Sequence, residues 1–485
     1  MHTRHTALTQ IVVLAALTLM SVQTALAPAL AQPQPGTHQL SVEQRGALHR
    51  YAMDAWRSLE AMTFLSTGLP ADNISASGER ARGTKPTNIA SSIWSALAAR
   101  DLNIITPEEA HQSIGRILDT LSRMEYHQPS GMFYDWYDPK TGYKSTVGPE
   151  SSSPFLSSVD NGWLATALMI IHHKVPQFRS AVMAILDRMN FGVFYDQKEE
   201  LLRGGFWEDQ LPGSVADTII DPSSGNHPVF FTGHHYNMLN SETRIASYIG
   251  IARRQIPDTH YSRLYRTLHQ YRGMKIVPSW GGSMFEALMV TLFVPESEWG
   301  PKSWGVNHPL YVRAQIEHGL FEAQYGYWGF SPSSNPAGKN REYREYGVDA
   351  IGRKRDGYYS NNDNTPEAPS PRASAYTNGV VTPHAVFLTL PFEPDAALQN
   401  LANLRRDFKD AYGPYGFYDA INVQTGQVAQ YYLALDQGMI MAAIANQLGN
   451  NQFQGYFAND AVKRVLEPLL RGEVFGSECE AKPQR

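Results

Sequence analysis

The chain has 485 residues, 42% of them hydrophobic, so it can bury a large core, and its length allows either several domains or one large helical barrel. Its 41 basic and 46 acidic residues give a formal net charge of −5, with no long run of one sign. A nucleic-acid-binding or membrane-surface protein would carry a clustered basic face, so neither partner class is expected. Aromatic residues make up 11% of the chain and charged residues only 18%, a balance that suits a groove for sugar rings as well as an aromatic core.

The N-terminus has the pattern of a secretory signal peptide. Basic residues precede an apolar run over 11–22, and Ala29-Leu30-Ala31 forms a small-x-small cleavage site. The run is too short to span a bilayer, and no cysteine follows it to carry a lipid anchor. The single cysteine, Cys479, leaves an exported fold without internal disulfides. We therefore expect an exported monomer, periplasmic or secreted, with a signal peptide over 1–31, a linker over 32–44, one domain over 45–472 and a polar tail over 473–485.

Apolar residues recur at helical spacing through most of the chain, and helix starts are marked by prolines, capping residues and acids. The pattern predicts about thirteen helices, at 41–64, 86–101, 107–124, 163–171, 176–189, 242–253, 260–271, 283–292, 307–325, 377–388, 394–408, 432–447 and 460–470. Most are joined as hairpins, and β-like stretches such as 229–232 lie in loops, which excludes a doubly wound sheet. This favours an all-α fold, an (α/α)6 barrel, in which the polar segment 331–371 forms a long loop over the mouth.

Several carboxylates stand beside small and aromatic residues at predicted helix starts. Glycoside cleavage needs one carboxylic acid to protonate the leaving oxygen and a second carboxylate to act on water or on the anomeric carbon. Glu242, Glu286, Asp160 and Asp436 fit such a site, and Asp419 ends a Gly-Phe-Tyr-Asp loop. Each also has a structural reading, as a first-turn acid facing the helix dipole, a buried paired acid or an Asx turn.

Other chemistries find less support. The histidines at 172–173 and 234–235 are adjacent pairs and lack the i, i+4 spacing of zinc ligands, and there is no cysteine cluster. Ser-x-x-Lys and Gly-x-Ser-x-Gly nucleophile motifs are absent, and Gly281-Gly282-Ser283 lacks the lysine and spacing of a phosphate loop. We expect no metal and no cofactor.

Seven motifs in order resemble the glucoamylase-like domain family, which includes bacterial endo-β-1,2-glucanases and is related to the transglycosylation domain of cyclic β-1,2-glucan synthases. They cover most of the chain from about residue 45 to 470, and read Pro-Thr-Asn-Ile at 86–89, Ser-Val-Asp-Asn-Gly at 158–162, Ser-Glu-Thr-Arg at 241–244, Ser-Trp-Gly-Gly-Ser-Met-Phe-Glu at 279–286, Tyr-Gly-Val-Asp at 346–349, Gly-Phe-Tyr-Asp at 416–419 and Leu-Asp-Gln-Gly at 435–438. The resemblance implies an (α/α)6 barrel whose acidic cleft cleaves a β-glucan.

The resemblance also implies roles for single residues. Glu242, in the Ser-Glu-x-Arg motif, corresponds to the general acid. Transglycosylating relatives carry a nucleophilic Glu in an Ile-Ser-Glu-Ser segment, where this chain has Phe-Ser-Pro-Ser with Pro332 in place of the Glu. Pro cannot attack a sugar, so inversion is favoured, with Asp436 as the first choice of base and Asp419 as the second. In the hydrolases of the family the base is thought to reach its water through a sugar hydroxyl. Sugar contacts are implied for Asp160, Arg244, Trp280, Glu286, Tyr327 and Trp328.

The expected function is therefore hydrolysis of a β-glucan, most specifically by an inverting endo-β-1,2-glucanase, with an oligosaccharide or polysaccharide as the partner. Two alternatives stay open. The same fold could act on another exported or cell-wall glycan, or it could bind glycans without cleaving them. Linkage, chain length and endo against exo action are not fixed by the motifs.

Overall fold

The computed structural model describes residues 39–145, 154–209, 217–220, 228–338, 342–353, 373 and 376–476. The predicted signal peptide, Cys479 and the stretch 354–372 of the predicted mouth loop lie outside these residues. The predicted linker over 32–44 is too long by three residues, because the first helix starts at Val42. The first residues of the predicted polar tail are packed: Glu473 accepts hydrogen bonds from Arg266, and Phe475 meets the Trp304 ring edge-on.

The described residues contain fifteen α-helices, against about thirteen predicted from the helical spacing. They are α1 (Val42–Met62), α2 (Pro86–Asp101), α3 (Pro107–Arg123), α4 (Ser158–Lys174), α5 (Arg179–Leu186), α6 (Arg244–Ala252), α7 (Thr259–Arg263), α8 (Met284–Leu288), α9 (Glu296–Trp299), α10 (Trp304–Glu317), α11 (Pro383–Phe387), α12 (Pro394–Asp407), α13 (Ala434–Leu448), α14 (Gln452–Phe457) and α15 (Asp460–Arg471). Within the same residues, no helix combines the length and apolar character needed to cross a bilayer.

Short strands in the described residues form small antiparallel sheets between the helices. The strands are β1 (Asn73–Ser75), β2 (Phe155–Ser157), β3 (Tyr195–Asp196), β4 (Leu201–Arg203), β5 (Gly205–Trp207), β6 (Asp217–Ile220), β7 (Pro228–Phe231), β8 (His235–Tyr236), β9 (His269–Tyr271), β10 (Met274–Ile276), β11 (Ser333–Ser334), β12 (Tyr343–Arg344), β13 (Val380–Val381), β14 (Tyr412–Gly413), β15 (Gly416–Phe417), β16 (Ala420–Asn422), β17 (Val428–Ala429) and β18 (Tyr431–Leu433). The largest sheet has the order β2-β5-β7-β6.

Local signals start the outer helices. Ser41 and Gln44 form a capping box at α1, and Thr106 and Glu109 form another at α3, where Pro107 occupies the first helical position. α1, α3 and α5 each bury one face, whereas α2, α4 and α13 are buried on nearly every side. The buried helices therefore form an inner layer, and the amphipathic helices cover it.

The inner helices are neighbours in space. α2 packs between α4 and α13, α4 also packs on α6, and α11 packs on α13. Two glycines allow the closest contacts: a Cβ at Gly162 of α4 would lie 3.1 Å from the Cα of Ala246 in α6, and a Cβ at Gly438 of α13 would overlap Ser91 of α2. Because these helices approach so closely, the side chains at their N-terminal ends meet.

The predicted helix over 260–271 is wrong in its second half. α7 is short, and β9 and β10 follow as a hairpin whose turn holds Arg272 and Gly273 at positive φ. The alternation of buried and exposed residues in β10 is that of a strand. Apolar spacing alone does not separate a short helix from such a hairpin.

The predicted helix over 377–388 is also too long, because β13 takes its first part and only Pro383–Phe387 is helical. The helix predicted over 307–325 starts earlier, at Trp304, and its C-terminal end widens into a π turn over His318–Glu322. α9 and α14 were not predicted. Both are shorter than two turns, and so short a segment shows little periodicity.

Candidate active site

Glu242 and Glu286, the glutamate pair, lie together at the starts of two inner helices. Glu242 sits in the turn before α6, and Glu286 lies in the first turn of α8, where its backbone N–H donates to the Ser283 hydroxyl at 3.3 Å. The Ser241 hydroxyl and the Glu242 backbone N–H both donate to Glu286 Oε2, at 2.7 and 3.1 Å. Glu286 therefore fixes the backbone of Glu242, the proposed proton donor.

The surroundings favour the protonated form of Glu242. Burial raises its pKa well above the usual range, and the neighbouring Glu286 charge raises it further. Trp163 Nε1 donates to Glu242 Oε2 at 2.9 Å, which opposes this shift. Burial also raises the pKa of Glu286, but its two donors favour the ionised form. Of the two carboxyl groups, Glu242 is therefore the one whose surroundings favour the protonated form, as a general acid requires.

Arg244 does not make the predicted sugar contact. Its side chain is fully buried, and its guanidinium donates to both Glu296 carboxylate oxygens, at 2.7 and 2.8 Å. The same group donates to the backbone oxygens of Ser241, Glu286 and Ala287. All of these partners are protein groups, so Arg244 joins α6 to α8 and fixes the backbone on both sides of the glutamate pair.

Asp419 and Asp436, the aspartate pair, are buried at 3% exposure each. Asp436 lies in the first turn of α13, and Asp419 lies between β15 and β16. Asp419 Oδ2 accepts the Ser334 backbone N–H at 2.7 Å. Burial and the Asp436 charge raise the pKa of Asp419 well above the usual range. Of the two carboxyl groups, Asp419 is therefore the one whose surroundings favour the protonated form.

His384 in α11 completes this cluster. Its Nδ1 lies 3.3 Å from Asp436 Oδ2 and 2.8 Å from Thr382 Oγ1. His384, Asp419 and Asp436 are residue types that bind metals, and their ligand atoms lie within 4.8 Å of one another. However, Thr382 Oγ1 donates its only hydrogen to the Asp419 carbonyl at 2.6 Å, so Nδ1 must carry a proton to bond the hydroxyl. A protonated Nδ1 has no lone pair for a cation, so this nitrogen does not serve as a metal ligand in the arrangement described.

The segment 330–334 connects the two carboxylate pairs. At one end the backbone N–H of Phe285, next to Glu286, donates to Ser331 Oγ at 3.2 Å; at the other, Ser334 holds Asp419. Three chain steps from 331 to 334 span at most about 10 Å, so one short segment contacts both the residue before Glu286 and Asp419. Pro332 stands in the middle of this segment.

Tyr343 faces this region from β12, where it is the register partner of Ser334. The side chain keeps 49% of its surface open. Surrounding protein atoms and then the charges of Asp436, Asp419 and Glu242 raise the pKa of its hydroxyl, so both carboxylate pairs act on one phenol. The sequence motifs did not single out this residue, because it lies in the polar segment 331–371, where the sequence does not show which way a side chain points.

A further group of charged residues, here called the lysine cluster, lies beside the glutamate pair. Its members are Lys85, Thr87, Asp135, Trp136 and Asp160. Lys85 Nζ binds Asp135 Oδ2 at 3.0 Å and lies 4.6 Å from the centre of the Trp136 ring, and Thr87 donates to Asp160 at 2.6 Å. Burial raises the pKa of Asp135 to about 7 despite the lysine. Asp160 is half-buried and stands one helical turn before the tryptophan that holds Glu242, so it is well placed for the predicted sugar contact.

The three aromatic residues predicted to contact sugars differ in their exposure and in their protein contacts. Trp280 is half-buried beside the Arg353 guanidinium, 5.6 Å from its ring, and can still meet a ligand. Trp328 is 2% exposed and belongs to the core, so the prediction of a platform there is wrong. Tyr327 is half-buried, donates to Asp407 of the outer helix α12 at 2.7 Å and packs against Phe408, and its sugar contact stays a prediction.

Two family models match the chain. The model described as "Putative glucoamylase" matches residues 234–456, and the model described as "Protein of unknown function (DUF3131)" matches residues 50–209. The first match contains both carboxylate pairs, and the second contains the lysine cluster. Every cluster described above thus lies in a region that matches a family model.

A curated relative and solved structures extend these matches. Cyclic β-(1,2)-glucan synthase NdvB of Rhizobium meliloti (strain 1021) is 33% identical over 247 residues, which make up 49% of this chain and only 8% of the synthase. A "putative glucoamylase" from Bacteroides uniformis ATCC 8492 matches with a TM-score of 0.66 and 17% identity over 89% of this chain and 98% of that one. The endo-β-1,2-glucanase from Chitinophaga pinensis, in complex with sophorotriose and glucose, matches with a TM-score of 0.65 and 16% identity over the same shares. The helix-rich fold is common to this chain and the two solved structures, and residues 234–456 carry the match to the glucoamylase family model.

Proposed function

We propose that the protein is an inverting glycoside hydrolase that cleaves β-1,2-glucan by endo action. The observation that carries the proposal is the presence of two separate buried carboxylate pairs, both of which raise the pKa of the Tyr343 hydroxyl. Burial favours the protonated form of Glu242 in one pair, and Asp436 in the other pair is the proposed base; inversion needs one residue in each of these roles. The names of the synthase and the glucanase above support β-1,2-glucan as the substrate.

We infer that the inner helices close into an (α/α)6 barrel. Side-chain contacts at their N-terminal ends support a ring in the order α2, α4, α6, α8, α11 and α13. Thr87 links α2 to α4, Trp163 links α4 to the start of α6, and Arg244 links α6 to α8. The Gly329 oxygen, just before segment 330–334, accepts from Thr382 at the start of α11. His384 of α11 meets α13, and Ser91 of α2 donates to Ala434 of α13 at 3.1 Å.

In the proposed mechanism Glu242 gives its proton to the glycosidic oxygen as the bond to the anomeric carbon breaks. Asp436 takes a proton from the attacking water, directly or through a sugar hydroxyl, and the new C–O bond forms on the opposite face. Pro332 stands where transglycosylating relatives of the family carry a nucleophile, and proline has no group that could form a glycosyl-enzyme intermediate. Asp160 and Trp280 would orient the sugars on either side of the broken bond.

Linear β-1,2-glucan is expected to be hydrolysed with inversion of anomeric configuration. Proton NMR during the first turnovers should show the α-anomer of the new reducing end before mutarotation, since the cleaved bond is β. Endo action predicts a broad range of early oligosaccharides in place of one small product. Retention, or cyclic and elongated products, would contradict the mechanism. If reducing ends were released only from a different β-glucan, that glucan would replace β-1,2-glucan as the proposed substrate. Binding without release would indicate a glycan-binding protein.

Substitutions in the aspartate pair should identify the base. Asp436→Asn is expected to lower kcat by ~10²- to 10⁴-fold, because the amide cannot accept a proton from water, with little change in oligosaccharide affinity. Asp419→Asn should cost much less, because an amide resembles the protonated carboxyl that we infer at this position. Initial rates and calorimetric binding of a β-1,2-gluco-oligosaccharide measure both effects. The opposite ranking would make Asp419 the base.

We also propose that the protein is exported. The signal-peptide pattern over 1–31 supports this location, and a polymeric glucan substrate is compatible with it. N-terminal sequencing of protein recovered from the periplasm or the medium would test the proposal, with a first residue near Gln32 as the expected result.

A further inference from the structure

We propose that His384 is a positioning residue for the base: its Nδ1–H holds Asp436 Oδ2 and fixes the orientation of this carboxylate toward the attacking water. The inference rests on the proposed function, because it concerns the base of that reaction. It adds a residue that neither the sequence motifs nor the comparisons single out. Its basis is the hydrogen-bond arrangement among Thr382, His384 and the aspartate pair.

The proton on Nδ1 follows from counting hydrogens. The Asp419 backbone carbonyl can only accept, so the Thr382 hydroxyl must donate to it across 2.6 Å. That hydroxyl has one hydrogen, so it can only accept from His384 Nδ1 across 2.8 Å. The imidazole is therefore locked with its hydrogen on Nδ1. The same nitrogen lies 3.3 Å from Asp436 Oδ2, a longer contact than the one to the threonine, and we infer that the threonine and the base share this donor.

The position of His384 suits this role. The residue is 3% exposed in the second position of α11, directly after Pro383, and α11 packs on α13, which carries the base. Asp436 Oδ2 has no open surface, and it has no hydrogen-bond partner among the described residues. The longer contact with His384 thus supplies polar compensation for a buried carboxylate oxygen, which would otherwise be costly.

Several other titratable groups face Asp436, and His384 Nδ1–H is the donor among them. Asp419 faces it within the pair, the Tyr343 hydroxyl faces it from β12, and Asp72 lies before α2, where its backbone oxygen accepts from Ala434 at 3.0 Å. Two of these groups are carboxylic acids. His384 is thus a hydrogen-bond donor on a base that otherwise faces these acidic groups.

The test compares two variants in which a side-chain amide replaces the imidazole ring of His384. The amide N–H lies at a different position in each variant. His384→Asn can present its amide N–H near the position of Nδ1, whereas His384→Gln places its amide near Nε2. On linear β-1,2-glucan we expect the Gln variant to lose ~10- to 100-fold in kcat, the range seen when a supporting partner of a functional group is removed. KM should change little. The acid limb of its pH–kcat profile should move to higher pH, because the base loses a donor to its charged form. The Asn variant should stay within a few-fold of wild type with the wild-type limb.

Two controls keep the outcomes distinct. Thermal unfolding of both variants reports any loss of folding, which two amides of similar polarity should share. Nitrogen-15 NMR of the imidazole in the unmodified enzyme reports the tautomer without any need for activity, and we expect a protonated Nδ1. An unprotonated Nδ1, equal losses in both variants with an unshifted pH profile, or full activity in the Gln variant would overturn the inference. Absence of hydrolysis by the wild-type enzyme would overturn the proposed function instead.

Discussion

Replacing Glu242 by Gln is expected to lower kcat on linear β-1,2-glucan by ~10³-fold, within the range of general acid catalysis. The amide cannot release a proton to the glycosidic oxygen, yet it can still accept from Trp163 and keep the turn before α6 in place. The Glu242 backbone N–H that binds Glu286 is unchanged, so the fold and KM should be close to those of wild type. Initial rates and thermal unfolding measure these expectations.

A substrate with a reactive leaving group separates the acid from other roles of Glu242. Dinitrophenyl β-sophoroside needs no proton on its leaving oxygen, so the Gln variant should lose far less activity on it than on the natural glucan. Glu298→Gln is a matched control, because Glu298 is an exposed glutamate of α9 outside the site. Equal losses on both substrates would contradict a proton-donor role, and a Gln variant with most of the wild-type rate on glucan would remove the assignment.

The helix starts could be predicted because their signals are local. α2 was predicted with the bounds that the structure shows, since Pro86 opens it and apolar residues run through it. The acids at these starts were also found, because a carboxylate among small and apolar residues is conspicuous in the sequence. Contacts between helix ends far apart in the chain had no such signal. His384 and Asp436 are 52 positions apart by their numbers, and nothing in either motif links them.

The errors in the site have one physical cause. Sequence shows which residue type is present but not where its side chain points, and this decides between core and cleft. Trp328 and Arg244 were both expected to meet sugars, yet each is at most 2% exposed. For Arg244 a clue existed, since an arginine two positions after a catalytic acid can serve the backbone around it as well as the substrate. Its partner, Glu296, lies beyond α8 and could not be found by spacing.

The ion pair between Arg244 and Glu296 explains how two acids can be held close together. Like charges at short range repel, and burial strengthens the repulsion. The backbone around the glutamate pair must therefore be fixed by other contacts. A buried guanidinium bonded to Ser241, Glu286 and Ala287 does this, and its own charge is balanced by a carboxylate with no open surface. Catalytic geometry and stability thus depend on the same side chains.

Glu296→Ala is accordingly expected to lower the free energy of unfolding by ~3 to 5 kcal/mol, the usual cost of removing one partner of a buried ion pair. Arg244 would stay buried with its charge unbalanced, and the Tyr248 hydroxyl and His308 Nε2 would lose their acceptors at 2.8 and 3.1 Å. Urea unfolding at neutral pH measures the loss. The exposed Glu298, two positions along the same helix, gives the control: Glu298→Ala should change stability by about 0.5 kcal/mol or less.

The pH dependence of this stability has a defined sign. Although burial opposes the charge, Arg244 and His308 lower the pKa of Glu296 from 4.5 to about 2. A depressed folded-state pKa contributes stability above the ordinary value, which is lost as pH falls toward 2. The difference between wild type and Glu296→Ala should therefore shrink between about pH 4.5 and 2. The double variant Arg244→Met/Glu296→Leu should unfold less readily than Glu296→Ala, because no charge remains buried. A double variant less stable than the single one, or a pH-independent difference, would show that the pair does not act through its charges.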